Sequence, residues 1–455
     1  MEMVEQGRRT KWVLALTSLG FFMAMMDAMI VTTASTAIRT EFQISVRSLQ
    51  WALNAYNITI AAVLLVGVTF GERWGRRRIY NWGLLIFTVG SVLCALSTNI
   101  NWLILARIVE GVGASVMTPM SMAILSAALP DNQRGRALGI WGGIGGLALI
   151  VGPSLGGLIV AQFAWQWIFW INVPVGVFAI LLSRRYLPES RGQNEPLNLI
   201  DNGLMIGTST GLIWALSVMT SGTGGARLKW PLLIGMTSLL GGGWLLYRQA
   251  HEALPMIPLS FFRKATFTGG NLATACLYGS MYGVVFFFPQ YLQASARATA
   301  LMAGLELLPW TGTLVVVAPF AGRAVDRFGE RQIAMIGLLF QGMGYLLIAG
   351  FVHRSYGWLV LPLMLAGVGL SMAGPALQKA VIGAVPKVAI GKASGIYNVF
   401  RLLGGALGTT FAVISFYQFA GPTFASGFQA TMVETAALSL LGIVGARKLA
   451  VKPVA

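Results

Sequence analysis

Four carboxylic acids, Asp27, Glu110, Glu306 and Glu434, stand inside long runs of apolar residues. An ionised side chain at the centre of a membrane-spanning helix costs about 2.5–3.5 kcal/mol on insertion scales. That cost favours the neutral acid, which suits a group that loads and releases protons. Two arginines, Arg107 and Arg401, share this setting, and Arg107 lies three residues before Glu110, so on a helix the two share a face. They form either a fixed buried ion pair or an arginine that changes partners when one acid is protonated. Asp27, between Met25, Met26, Ala28 and Met29, is either a proton or cation site or a permanent partner of an arginine. Glu306 lies in GLELLPW (304–310), where Pro309 and Trp310 suggest a bend near the outer face; it is a second cation site or an interfacial acid. Glu434 reads as a solvated acid near the outer end of its helix, and Asp201 opens another. Arg401 needs an acid or backbone carbonyls as partners and is placed in the substrate cavity.

Other chemistries lack their residues. His251 and His353 both read as loop residues, so no metal site or catalytic triad can be assembled. Cys94 and Cys276 lie in apolar runs and read as packing residues. No enzyme activity and no metal or cofactor is expected; with no histidine in any span, carboxylates must do any proton carrying.

The elements that position these groups follow from composition. The chain is 56% hydrophobic and 10% charged, with a mean hydropathy of +0.72. Its apolar runs recur at close to the length of a helix crossing about 30 Å of hydrocarbon. The expected fold is an all-α polytopic membrane protein of fourteen helices, at about 12–36, 49–70, 80–98, 101–128, 137–161, 167–184, 200–220, 231–247, 267–291, 300–321, 333–352, 356–378, 392–417 and 429–446. With the N-terminus inside, 24 Lys and Arg fall on the cytoplasmic side, including Lys387 and Lys452. Six fall opposite: Arg39, Arg47, Arg227, Lys229, Arg297 and Arg354. That asymmetry puts both termini in the cytoplasm. It also accounts for the net charge of +17 without a nucleic-acid partner, because no basic face or tail is present. The first run is too long for a cleavable leader and lacks an A-x-A-like site.

One charged turn occurs twice between apolar runs. VTFGERWGRRR (68–78) carries Glu72, Arg73, Gly75 and Arg76; GRAVDRFGER (322–331) carries Gly322, Asp326, Arg327 and Gly329. Glu72 and Asp326 are 254 residues apart, a displacement of eight helices rather than six. The layout is therefore two six-helix bundles, 1–184 and 267–455, joined by 185–266, which holds two extra helices. Its flanks contain Pro188, Pro196, Pro255 and Pro258. As gates, Glu72 and Asp326 would sit near the positive end of a neighbouring helix with arginines holding them. Topology alone would also place arginines there. In helices one, two and four, Thr32, Thr33, Asn54, Tyr56, Asn57, Met117, Met120 and Met122 either line a cavity or pack.

These turns resemble the loop motif G-x-x-x-D-R-x-G-R-[RK] of the major facilitator superfamily, with Val68 and Glu72 as departures in the first copy. Leu103, Arg107, Gly111, Gly113 and Ala114 are similar to its L-x-x-x-R-x-x-Q-G-x-G-A, with Glu110 in place of Gln. Gly152, Pro153, Gly156 and Gly157 resemble its exporter signature GPxxGG; WQWIFWINVPVG (165–176), GKASGIYNVFRLLGGALG (391–408) and Asp27–Val31 resemble three further segments. The resemblance covers essentially the whole chain and points to the fourteen-span drug/proton antiporter family. It implies an exporter of the cytoplasmic membrane with a central site and alternating access. It favours Asp27 as the proton site, places Arg107 on the cavity with a part in proton coupling, and leaves Glu110 less defined. The expected substrate is a lipophilic, cationic or amphipathic drug, moved by a monomer in the bilayer. An exporter of one compound, such as an antibiotic, siderophore or lipid, is the alternative, ahead of a transport-dead receptor or a membrane-embedded enzyme. The departures at Val68 and Glu72 predict a looser or differently shaped gate there than at Asp326.

Overall fold

The computed structural model describes residues 2–129, 131–191, 198–219, 229–252, 255–295, 298–386, 389–419 and 423–450. Pro196 of the first linker, and Arg227, Arg297, Lys387 and Lys452 of the charge pattern, lie outside them. Among the described residues every regular element is a helix. They are α1 (Glu2–Phe42), α2 (Val46–Trp74), α3 (Arg76–Ala95), α4 (Ile100–Ala128), α5 (Asp131–Gln162), α6 (Trp167–Trp170), α7 (Asn172–Tyr186), α8 (Leu199–Met219), α9 (Lys229–His251), α10 (Leu259–Phe262), α11 (Ala265–Ser295), α12 (Ala300–Leu305), α13 (Leu308–Phe328), α14 (Glu330–Phe351), α15 (Gly357–Gly383), α16 (Ile390–Gln418) and α17 (Phe424–Ala446).

Each of the fourteen segments marked by the sequence is helical, but ten are long and apolar enough to cross a membrane, or eleven if α2, bent by 47°, is one span. The helices at 131–162, 199–219 and 229–251 fall outside that number, which counts the described residues alone. Two segments expected to be continuous are broken. The one at 167–184 breaks at Ile171 between α6 and α7, and the one at 300–321 breaks at Glu306 and Leu307, just before Pro309. Proline lacks the N–H that would continue the ladder, so the break precedes it.

Large apolar side chains such as Leu105, Leu181, Leu240 and Leu361 are exposed, while Asp27, Arg107, Glu110 and Gln341 are buried. Apolar outside and polar inside is the distribution of a protein solvated by lipid, and this is a multi-pass membrane protein. Lipid tails are as apolar as leucine, so helices there associate by close packing, which small residues permit.

The chain divides into two compact units: Met1–Asn202 with Thr299–Leu305, and Gly203–Ala298 with Glu306–Ala455. In the first, α4 packs on α2 and α3, α1 on α5, and α12 on α5. The α3–α4 contact is backbone to backbone. A Cβ on Gly90 would lie 2.6 Å from Cα of Glu110, and one on Gly113 would lie 2.6 Å from Cα of Phe87. In the second, α14 packs on α15, α11 on α16 and α17, and α13 on α15. Gly337 and Gly344 there approach α15 as Gly83 and Gly90 approach α4. Both pairs keep the 254-residue offset of the charged turns, so the internal repeat extends from the turn into the helix that follows it. Helices α8 and α9 pack on each other: a Cβ on Gly241 would lie 2.9 Å from Thr208. Trp230, Met236, Leu239 and Leu240 of α9 point outward.

Gly113→Leu should destabilise the first unit by about 1–3 kcal/mol, the usual cost of overpacking. Gly350→Ala, where a Cβ meets nothing within 4 Å, should leave stability unchanged or slightly raised. Thermal unfolding in detergent checks both, and equal melting temperatures for the two variants would rule out the close α3–α4 contact.

Candidate functional site

The acids and arginine singled out in helices one and four come together. Arg107 is fully buried, and its Nη1 donates to Oδ2 of Asp27 and, at 2.7 Å, to Oε2 of Glu110. Both carboxylates are also fully buried. The i,i+3 spacing on α4 delivers Glu110 to the arginine, whereas Asp27 arrives from α1 through tertiary packing. The guanidinium lies 4.0 Å from the centroid of the Tyr56 ring and 5.8 Å from that of Phe169. Its Nε points to the Ala52 carbonyl at 3.4 Å, and Nη2 has no hydrogen-bond partner among the described residues.

Three polar residues complete the cluster. Ser91 Oγ donates to Oε1 of Glu110, and Cys94 Sγ lies 3.4 Å from Oε2. Asn172 Nδ2 reaches Oδ1 of Asp27 at 3.4 Å and Oγ of Ser91 at 3.2 Å. Residue types alone did not single out Ser91 and Asn172. The available signals were a polar pair, Ser91 and Cys94, three apart in an apolar run, and an asparagine two residues before Pro174 in the WINVPVG stretch. Two carboxylates on one guanidinium leave a charge of −1 if both are ionised. A single proton makes the cluster neutral, and neutrality is what a low-dielectric site favours.

The glycine signature sits against this cluster. A Cβ on Gly152 would lie 2.8 Å from Met29 Cβ, and one on Gly156 would lie 2.9 Å from the Ile30 carbonyl, so α5 covers the turns next to Asp27. On the other side of α5, Gly157 would meet Cα of Leu301 at 2.9 Å, and Gly304 of α12 would meet the Pro153 carbonyl carbon at 3.0 Å. Of the cavity candidates, Thr33, Tyr56, Asn57 and Met117 are all buried. Tyr56 donates to the Ala24 carbonyl at 2.9 Å, holding its ring beneath Arg107. Met117 packs at the α3–α4 interface, where its Cβ would stand 3.0 Å from a Cβ on Gly83.

The charged turns differ from expectation. Gly75 and Gly329 both take positive φ, 108° and 86°, and each ends one helix and begins the next. That backbone requires glycine, which explains its fixed place three residues after the acid. Glu72, however, does not occupy a helix N-terminus. It holds Arg76 through two hydrogen bonds of 2.9 and 2.8 Å. The start of α3 is instead taken by Glu189, which accepts from the backbone N–H of Arg77 at 3.0 Å and of Arg78 at 3.2 Å. An acid at that position satisfies donors that the helix leaves free. In the second copy Asp326 pairs with Lys379 at 2.7 Å, and Glu330 joins at 3.2 Å. The first turn is thus the tighter one: its side chains are 19% and 21% exposed, against 49% and 74% for Lys379 and Asp326. The longer arm of glutamate lets both oxygens face one guanidinium, so the first turn is differently shaped from the second but not looser. Arg73 and Arg327 are exposed, and Arg327 lies 5.2 Å from the Phe328 ring.

Glu306 belongs to the second unit, at the break between α12 and α13, and so outside the Asp27 cluster. Its Oε2 is buried with no partner among the described residues, and its backbone carbonyl accepts from the Tyr356 hydroxyl at 2.8 Å. Glu434, expected to be solvated, is half-buried with Oε2 enclosed and unpaired, because its turn of α17 faces neighbouring helices. Arg401 is half-buried, 5.5 Å from the Tyr278 ring.

Ionisable side chains buried among membrane-length helices mark a functional site by default. The chain belongs to the Major Facilitator Superfamily, whose family model matches residues 17–409 and again 270–453, and it is a transporter rather than an enzyme. It is 31% identical over 405 residues to the multidrug resistance protein Stp of Mycobacterium tuberculosis, covering 88% of this chain and 74% of that one. It is 30% identical over 412 residues to the riboflavin transporter RibZ of Clostridioides difficile, covering 90% and 89%. Other relatives at similar identity are named as multidrug or antibiotic resistance proteins. Among solved structures, a peptide-conjugate complex of a POT family transporter matches with a TM-score of 0.72 at 14% identity, covering 96% of this chain and 95% of that one.

Arg107→Ala leaves two buried carboxylates without their cation, and should cost about 3–5 kcal/mol of stability. Adding Asp27→Asn and Glu110→Gln to that variant should restore most of the loss, as read by melting temperature in detergent. If the triple variant melts no higher than the single one, the cluster is not held together by charge.

Proposed function

We propose that this chain is a proton-driven exporter of lipophilic, amphipathic or cationic compounds, an antiporter of the fourteen-span drug/proton family. The observation that carries the coupling is the single buried guanidinium shared by Asp27 on α1 and Glu110 on α4. A proton arriving on Asp27 removes its claim on Arg107, which then pairs with Glu110 alone, and loss of the proton restores the shared pair. The two helices are thereby held together differently in the two states. Such a differential contact is what a conformational equilibrium needs in order to respond to a proton. Export rather than uptake is supported by the names of relatives at 27–31% identity and by the tight seat of Gly152 and Gly156 on α1 beside Asp27.

In this reading two six-helix bundles alternate access to a central substrate site, and α8 and α9 are two added spans. Glu306 is a second acid on the proton route. The charged turns at Glu72 and Asp326 close one side by contacts that break when access changes. The protein is a monomer of the cytoplasmic membrane with both termini inside. A dedicated exporter of one compound is the second reading, favoured by relatives named for a single compound.

Reconstituted in lipid vesicles with an imposed pH gradient, the wild-type protein should drive dye accumulation that collapses when the gradient is dissipated. Asp27→Asn should abolish gradient-driven transport while retaining the melting temperature to within a few degrees. Transport that ignores the gradient would sink the antiport mechanism; wild-type rates in Asp27→Asn would move the proton site to Glu110 or Glu306.

A further inference from the structure

The second unit holds its own cation, and it is supported differently from Arg107. Arg401, on α16, lies inside a membrane-length helix yet pairs with no carboxylate among the described residues. The five acids of its unit are accounted for elsewhere: Asp326 and Glu330 hold Lys379, Glu306 and Glu434 each bury an unpartnered oxygen, and Glu252 is exposed beyond the end of α9. Around the guanidinium stand tyrosines from two helices. Its carbon lies 5.5 Å from the Tyr278 ring, and Tyr282, four residues further along α11, sets its ring against Gly405, four residues after Arg401. Tyr397 donates to the Gly374 carbonyl of α15 at 3.4 Å. The Tyr282 hydroxyl makes no hydrogen bond to any described residue, although its ring is fixed against Gly405. Arg401 remains partly exposed, so the group is accessible.

A charged group at membrane depth faces a partner or a functional site. A cation–π contact near the outer limit of its range offsets only part of the cost of that placement. The site therefore presents a guanidinium with no carboxylate partner among the described residues, a hydroxyl able to donate, and aromatic faces; the net charge of that set is positive, which favours an anion. We propose that Arg401, Tyr278 and Tyr282 form a subsite for the ionised acid group of an aromatic substrate. The guanidinium takes a carboxylate or phenolate in a charge-assisted hydrogen bond, Tyr282 donates to it, and the tyrosine rings pack on the substrate's ring. This rests on the exporter reading and narrows its substrates to amphipathic compounds that carry an aromatic acid.

The test uses full-length protein in lipid nanodiscs and two xanthene dyes of similar size and opposite charge, fluorescein and rhodamine 6G, with equilibrium binding read by anisotropy. Wild-type protein should bind fluorescein more tightly than rhodamine 6G. Arg401→Gln should weaken fluorescein binding by about tenfold or more, the loss expected of a charge-assisted contact, and leave rhodamine 6G unchanged or tighter. Arg401→Lys should retain part of the fluorescein affinity, and Tyr282→Phe should weaken fluorescein alone. No fluorescein binding by the wild type, fluorescein affinity within about twofold in Arg401→Gln, or equal losses for both dyes would each overturn the subsite. If Arg401→Gln fails to fold, Tyr282→Phe and Arg401→Lys decide by the same comparison. Binding at equilibrium needs no proton gradient, so failure of antiport in vesicles leaves this result standing, and the reverse also holds.

Discussion

One guanidinium between two carboxylates governs the first unit. Arg107, Asp27 and Glu110 are each buried where no water is available to share their charge. Any one of them alone would be costly in lipid, and together they are tolerable only at short range and with their remaining lone pairs and protons engaged. That demand reaches outward through Ser91, Cys94 and Asn172, and through Tyr56 under the guanidinium. Four helices and the start of a fifth are therefore committed to one small region. With both acids ionised the cluster carries one negative charge more than the guanidinium balances.

The packing around the cluster serves the same demand. Helices in lipid gain little by hiding apolar surface, so they must interlock to bring charges within reach. Gly90 lets α3 touch the backbone of Glu110 itself, and Gly152 and Gly156 let α5 lie on α1 beside Asp27. A methyl group at these points would meet backbone or Cβ atoms at under 3 Å, so the helices carrying the acids would have to shift. Glycine here is thus an electrostatic device as much as a steric one. The second unit repeats the backbone contact with Gly337 and Gly344, but encloses tyrosines and Arg401 instead of an acid pair. The two units share a scaffold and differ in the charge they present.

The repeated turns show how far a sequence motif extends. Position and spacing of Glu72, Gly75, Asp326 and Gly329 carry over directly into two positive-φ turns between consecutive helices. Partners do not carry over. Glu189, more than a hundred residues after the turn, takes the helix start expected for Glu72, and Lys379 pairs with Asp326. Nothing within either motif specifies which distant group fills the remaining donors, because several acids and bases of similar reach lie near those helix ends.

The sequence by itself determined the class of this protein. Apolar runs of membrane length require helices, since every backbone polar group must be satisfied within its own segment in lipid. The 254-residue echo required two related sets of helices, and Arg107 and Glu110 at i,i+3 required a shared face. Pro309 marked a bend that became the break at Glu306 and Leu307. These are local consequences of chain geometry, legible wherever the relevant residues are neighbours along a helix. Only the tertiary structure decided that Asp27 joins Arg107 across eighty residues, that Asn172 and Ser91 close the cluster, that Glu189 caps α3, and that Arg401 meets tyrosines and, among the described residues, no acid. Those pairings depend on which helix faces meet and how closely. That is set by the sum of many small contacts between distant segments, which no single spacing in the chain records.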